Sequence, residues 1–222
     1  MKREIHKALW GHEEWLYDDG RILIKKICAE KRLSVQVHPN DETVAKTGGK
    51  AKTEMWCVLR GGPIFAGFRS GVTPEDVRAA LADGTVGDLL VRIEARPGDC
   101  LFIPGGLVHA IGEGVCVYEV QQSSDTTFRL YDWGRLDAEG RPRQLHLAEA
   151  FAAMDVSLPS PTPSDSVHCR YFDFTQEPAG ATLPPGTCRI VFCPGSDTLS
   201  VVAPAAPLLL AEAALVTIPG AL

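Results

Sequence analysis

The chain has 222 residues, 45% of them hydrophobic and 23% charged, with a formal net charge of -6. That is enough apolar material for one large core or a core with a small appendage, so a disordered chain is excluded. Charges of both signs are interspersed and the longest apolar stretch, Ala203 to Val216, is broken by Pro207 and Glu212, which argues against nucleic-acid partners and a membrane span of roughly 20 residues.

The first fifteen residues, MKREIHKALWGHEEW, carry charge where a signal peptide has an apolar core, and the expected location is the cytoplasm. Short apolar runs bounded by Gly, Pro and Asp follow: Arg21 to Ala29, Leu33 to His38, Met55 to Leu59, Ile64 to Phe68, Leu89 to Ala95, Asp99 to Ile103, Val115 to Gln121 and Thr127 to Tyr131. Regularly spaced short strands with turn signals predict an all-β sandwich or barrel. One helix is well marked over Thr73 to Ala82, with Thr73 as N-cap, Pro74 at its first position, Glu75 and Asp76 in its first turn and Gly84 beyond its end. Leu145 to Met154 is a second helical candidate. The segment Val156 to Asp165 holds three prolines and four serine or threonine residues, a linker composition that predicts a boundary over 156–167. Residues 1–155 then form one unit, and 168–222 a second, shorter β unit that closes on TIPGAL without a histidine to follow.

Seven cysteines, Cys28, Cys57, Cys100, Cys116, Cys169, Cys188 and Cys193, include no CxxC pair. Their places inside apolar runs predict reduced core residues.

Gln36 and His38 alternate in SVQVHPND, so a strand turns both to one face and Val35 and Val37 to the other. Lys52 and Glu54 repeat the spacing in KTEMW. PGDCLFIPGGLVH reads as strand, tight turn and second strand, delivering His109 inward. Two imidazoles, a carboxylate and an amide oxygen suit Zn²⁺ with positions open to water or substrate, and other divalent ions fit the same set.

The segments VQVHPND, GKAKTEMW, PGDCLFIPGGLVHAIGEG and EVQQSSDTTFRLYDWGR, in that order, resemble the type I mannose-6-phosphate isomerases of the cupin superfamily in their compact bacterial form. The likeness runs over about residues 8 to 155. It implies a jelly-roll β-barrel with few short helices, followed by a degenerate, metal-free cupin-like unit. Gln36, His38, Glu54 and His109 match the zinc ligands and Arg129 the catalytic arginine; Lys52 and Asp125 match residues of the pocket. The implied reaction interconverts mannose 6-phosphate and fructose 6-phosphate through a cis-enediol. The familiar upstream segment and the helical insertion of longer relatives are missing, with WGHEEW almost directly before the barrel, which leaves open which residues close the pocket and hold phosphate.

Arg129 stays protonated and is expected to stabilise enediolate charge or clamp the sugar, an ion pair with Asp125 or Asp132 being its competing role. Lys52 shuttles protons if burial lowers its pKa, with Asp125 or a metal-bound water as the competing base. For phosphate, Arg129, Arg135, Lys46, Lys50 and Lys52 are candidates of equal standing. Two other readings are a non-catalytic sugar-binding metal cupin, which the retained Lys52 and Arg129 disfavour, and an iron-dependent cupin oxidoreductase, disfavoured by Gln36 where a histidine is usual.

Overall fold

The computed structural model describes residues 3–137 and 139–220. In chain order the first elements are β1 (Glu4–Ala8), β2 (Gly11–Asp18), β3 (Ile22–Ala29), β4 (Val35–Val37), α1 (Val44–Thr47), β5 (Glu54–Arg60) and β6 (Gly62–Phe68). There follow α2 (Pro74–Asp83), α3 (Val86–Leu89), β7 (Leu90–Ala95), β8 (Cys100–Ile103), β9 (His109–Ile111), β10 (Cys116–Gln122), β11 (Phe128–Tyr131) and α4 (Leu147–Ala153). The last third holds β12 (Ser166–His168), β13 (Phe172–Glu177), β14 (Thr182–Leu183), β15 (Arg189–Cys193), β16 (Thr198–Val202), β17 (Leu208–Leu209) and β18 (Ala214–Pro219). The chain is mostly β with few short helices, as the spacing of its apolar runs predicts.

Strands β1 to β11 form two antiparallel sheets. One has the order β1-β2-β3-β10-β5-β8 and the other β11-β4-β9-β6-β7, so strands distant in sequence lie side by side. Between them lies an apolar core that takes Ile27, Trp56, Val58, Leu101 and Val117 from the first sheet and Ile64, Ala66 and Ile111 from the second. The outer face of the first sheet is covered as well: Ile24, Met55, Cys57, Tyr118 and Val120 pack with Phe172, Phe174, Ile190 and Phe192 of a third sheet, ordered β12-β13-β18-β15-β16. The outer face of the second sheet carries Val35, Val37, Phe128 and Leu130 against Val77, Ala80 and Val86 of α2 and α3 and Ala150 of α4. Strands buried on both faces read as nearly unbroken apolar runs, and here they do.

The helix at α2 starts as its sequence requires. The Thr73 side chain accepts a hydrogen bond from Asp76 N, the Asp76 carboxylate accepts one from Thr73 N, and Gly84 closes the helix in the left-handed conformation at φ 72°. The proline-rich segment lies against the first two sheets, where Ser164 and Cys100 exchange backbone hydrogen bonds of 3.0 Å and Leu158 packs on the inner core.

The N-terminal hairpin is an addition to the sequence reading. β1 is exposed at every residue, so it carries no apolar alternation to announce it. One expectation is corrected: Cys28 and Cys116 are joined in a disulfide. They face each other directly across β3 and β10, a proximity created by the fold between residues 88 apart in sequence and invisible to any spacing rule. Cys57, Cys100, Cys169, Cys188 and Cys193 are free.

Candidate metal centre and its cavity

The site occupies one end of the space between the first two sheets. On the second sheet Arg129, Gln36 and His109 are direct neighbours across β11, β4 and β9. On the first, Lys25, Glu119 and Trp56 form a matching row across β3, β10 and β5, and Gln121 pairs with Glu54. Strand alternation thus aims Lys25, Glu54 and Glu119 into the interior while their neighbours Ile24, Met55 and Tyr118 face the opposite core.

The turn between β8 and β9 places His109. Gly106 adopts φ 96°, where a side chain would be strained, and donates its N–H to His38 O at 2.8 Å. A Cβ at Gly105 would lie 2.8 Å from Pro39 O, so the close approach of this turn to the strand carrying His38 requires glycine there.

His38, Glu54 and His109 are each buried to 1% exposure or less, and one ligand atom from each falls within 4.8 Å of the others. Both imidazoles are fixed from behind: His38 Nδ1 lies 2.8 Å from Thr126 O and His109 Nδ1 2.9 Å from Leu107 O. A carbonyl only accepts, so each Nδ1 carries the proton and each Nε2 turns an unprotonated lone pair inward. Burial holds His38 well below the ordinary histidine range, aided by the charge of Lys52, and lowers His109 to about 4. Both rings are therefore neutral near pH 7, the state in which imidazole binds metal.

Glu54 completes the centre. Its Oε1 is 3.4 Å from His109 Nε2 and has no hydrogen-bond donor among the described residues, and its Oε2 is 3.5 Å from His38 Nε2. Lys52 Nζ forms an ion pair with Oε2 at 2.6 Å and also stands 3.1 Å from His38 Nε2. A buried carboxylate with one oxygen lacking a donor, beside two inward Nε2 atoms, is a donor set of the kind a divalent cation accepts. The Gln36 amide nitrogen sits 3.4 Å from His109 Nε2, and a half-turn of that amide brings its oxygen to the same point. The residues fit a metal.

A cavity of about 230 Å³ lies beside this group, reaching it through Gln36 and Lys52 and not lined by His38, Glu54 or His109. Gln36, Lys52, Trp56, Glu119 and Lys25 line it, with Trp10, Glu13 and Trp15 from the N-terminal segment and Asp125, Thr127, Arg129 and Arg143 on the opposite side. Asp125 is exposed. Arg129 is half-buried and its ion-pair alternative is not realised: its Nη1 donates to Gln144 O at 2.7 Å, and Asp132 takes Arg135 and Arg143 instead. Arg135 does not line the cavity, nor do Lys46 and Lys50. For Lys52, burial alone would depress the ammonium, but Glu54 and Glu119 outweigh it and the pKa is raised, contrary to the lowering its shuttle role assumed.

Lys25, Glu119, Glu13 and Arg143 are cavity residues that the motif reading passed over. Glu119 accepts from Trp56 Nε1 at 2.9 Å, and Lys25 Nζ lies 3.1 Å from Glu13 and 3.7 Å from Glu119. Burial, then the charge of Glu54, pushes the Glu119 carboxyl up.

The chain is 40% identical over 170 residues to mannose-6-phosphate isomerase ManA of Bacillus subtilis, an alignment covering 74% of this chain and 52% of that protein. Against mannose-6-phosphate isomerase of Streptococcus mutans it is 38% identical over 159 residues, covering 70% and 49%. The chain is a relative of the mannose-6-phosphate isomerases. It spans about half the length of these curated relatives. The fold agrees: the crystal structure of the Bacillus subtilis mannose 6-phosphate isomerase superposes with a TM-score of 0.66 at 24% identity, over 89% of this chain and 74% of that one. A mannose 6-phosphate isomerase solved with zinc and yttrium gives 0.61 at 16% identity, over 91% and 80%. No family model matches the chain. Among the described residues no helix is long and apolar enough to cross a membrane.

Proposed function

We propose that this chain is a zinc-dependent aldose–ketose isomerase that interconverts mannose 6-phosphate and fructose 6-phosphate through a cis-enediol. The observation that carries the reading is the buried His38–Glu54–His109 group with two inward, neutral Nε2 atoms and a carboxylate oxygen without a donor, set beside a cavity lined by both cations and carboxylates, in a relative of these isomerases.

Gln36, His38, Glu54 and His109 would hold the ion. When bound, a divalent cation supplies a Lewis acid that polarises the sugar carbonyl and offsets negative charge, an effect worth several kcal/mol. The chain's own residues handle the proton. Lys52, cationic and pinned between Glu54 and His38, is suited to donate to developing oxygen charge rather than to abstract a carbon-bound proton. Asp125 stands exposed at the mouth, whereas Glu119 is buried, has one idle oxygen and carries a raised carboxyl. Glu119, with an unpartnered oxygen on the cavity wall, is the better-placed proton acceptor between C1 and C2. Arg129 keeps a charged guanidinium at the cavity wall for the enediolate or the sugar.

A coupled assay for fructose 6-phosphate tests the reading. Turnover in zinc-loaded protein should vanish with chelator and return with zinc, and Glu119→Gln should lose about 10²- to 10⁴-fold in kcat. A zinc-loaded wild-type chain that turns over no mannose 6-phosphate would overturn it.

A further inference from the structure

Two guanidiniums face the cavity, Arg129 on β11 and Arg143 from the loop that leads into α4. Each is held from behind. Arg143 donates from Nε and Nη2 to the two oxygens of Asp132, both at 2.7 Å, and Asp132 is itself 5% exposed. Arg129 donates to the carbonyl of Gln144, the residue next to Arg143, while its Nε is buried without a partner among the described residues.

A guanidinium has five N–H donors in a planar fork. The Asp132 pair engages two of them on Arg143, and the other three have no partner among the described residues. Two cations lining one wall repel each other, and after burial the nearness of Arg143 is the largest influence lowering the Arg129 pKa. A multivalent anion between them would relieve that repulsion and take up the idle donors. Arg135 is unavailable for this, because it donates to Asp132 and to Arg32 O at the back of the same carboxylate.

We infer that Arg143, clamped by Asp132, is a phosphate-anchoring residue that works with Arg129 to seat the dianion of a sugar phosphate, leaving the carbonyl end of the sugar toward Gln36 and Lys52. The identity of the sugar rests on the isomerase reading; the seat for a tetrahedral dianion rests on the two guanidiniums alone. Arg143 is a positioning residue. It grips a part of the substrate that does not change during reaction, so its loss weakens ground state and transition state alike.

The experiment uses the zinc-loaded full chain with Arg143→Ala, Arg143→Gln and Arg143→Lys, each matched to wild type by far-UV circular dichroism. Asp132 keeps Arg135 as partner in every variant. In Arg143→Ala the KM for mannose 6-phosphate should rise by about tenfold or more with kcat within threefold, and the affinity for inorganic phosphate measured calorimetrically should fall in parallel. Arg143→Lys should recover part of both, since the charge returns without the fork. If Arg143→Ala does not fold, Arg143→Gln decides by the same two numbers. Turnover with KM and phosphate affinity both within twofold of wild type would overturn the anchor and leave the isomerase standing. A wild type that turns over no sugar phosphate, yet binds inorganic phosphate through Arg143, would do the reverse. A wild type that binds no phosphate at millimolar concentration would also overturn the anchor.

Discussion

Lys52→Met tests whether the buried carboxylate of Glu54 is waiting for a cation. Lys52 Nζ lies 2.6 Å from Glu54 Oε2, and the two side chains are 5% and 1% exposed. Removing one partner of a buried ion pair strands the other charge, a loss of about 3–5 kcal/mol. In a domain of this size each kcal/mol moves the melting temperature by about 2–4 °C, so chelated Lys52→Met should melt roughly 6–20 °C below chelated wild type. Saturating zinc should act more strongly on the variant, because the ion takes over as counter-charge to Glu54 and no longer contends with an ammonium. Differential scanning calorimetry of both proteins, each with chelator and with excess zinc, reads the two gaps, and the gap in zinc should be less than half the gap without it. Equal gaps would refute the link between Glu54 and a metal, and no gap in chelator would refute the buried-pair argument itself.

Thr73→Ala removes the side chain that receives Asp76 N at the start of α2, and should cost about 1 kcal/mol in thermal unfolding while leaving turnover unchanged. Asp132 governs an acid limb: burial opposes its ionisation, but hydrogen bonds from Arg143 and Arg135 win and hold its carboxyl below the ordinary 3.8. A lowered folded pKa means that its stabilisation is complete above 3.8 and drains as pH falls through the lower folded value, so Asp132→Asn should flatten the fall of stability with acid in denaturant titrations. Replacing Cys28 and Cys116 by serine should lower stability by about 2–4 kcal/mol relative to the oxidised chain, and reductant should lower the wild type but not the double variant.

Period-two patterning made much of this molecule legible. The alternation at Gln36 and His38 places them on one face, the proline-glycine turn delivers His109, and the capping residues of α2 sit where the sequence puts them. Residues whose role depends on a partner distant in sequence were not legible in this way. Cys28 and Cys116 meet only because β3 and β10 pair, and Arg143 lines the cavity while paired with Asp132, eleven residues before it. The hairpin of β1 and β2 lacked a signal of a different kind: its first strand buries nothing, so no apolar stripe marks it, although Trp10, Glu13 and Trp15 go on to line the cavity.

Lys25 and Glu119 did leave a signal, and the fold explains how to read it. A sheet covered on both faces removes its side chains from water, and a charge set into such a strand is expensive unless it is paired. In ILIKKICA and CVYEVQQ each run is apolar but for a few polar positions, and those that turn inward, Lys25, Glu119 and Gln121, are at most 5% exposed. Glu54 begins EMWCVLR under the same condition. A pair of such residues in register, Lys25 opposite Glu119 with Trp56 beyond, offsets part of the cost, yet Glu119 and Glu54 still hold idle oxygens. Polar residues at inward positions of doubly covered strands, left partly unsatisfied at one end of the sandwich, therefore mark the walls of a binding site even where no motif names them.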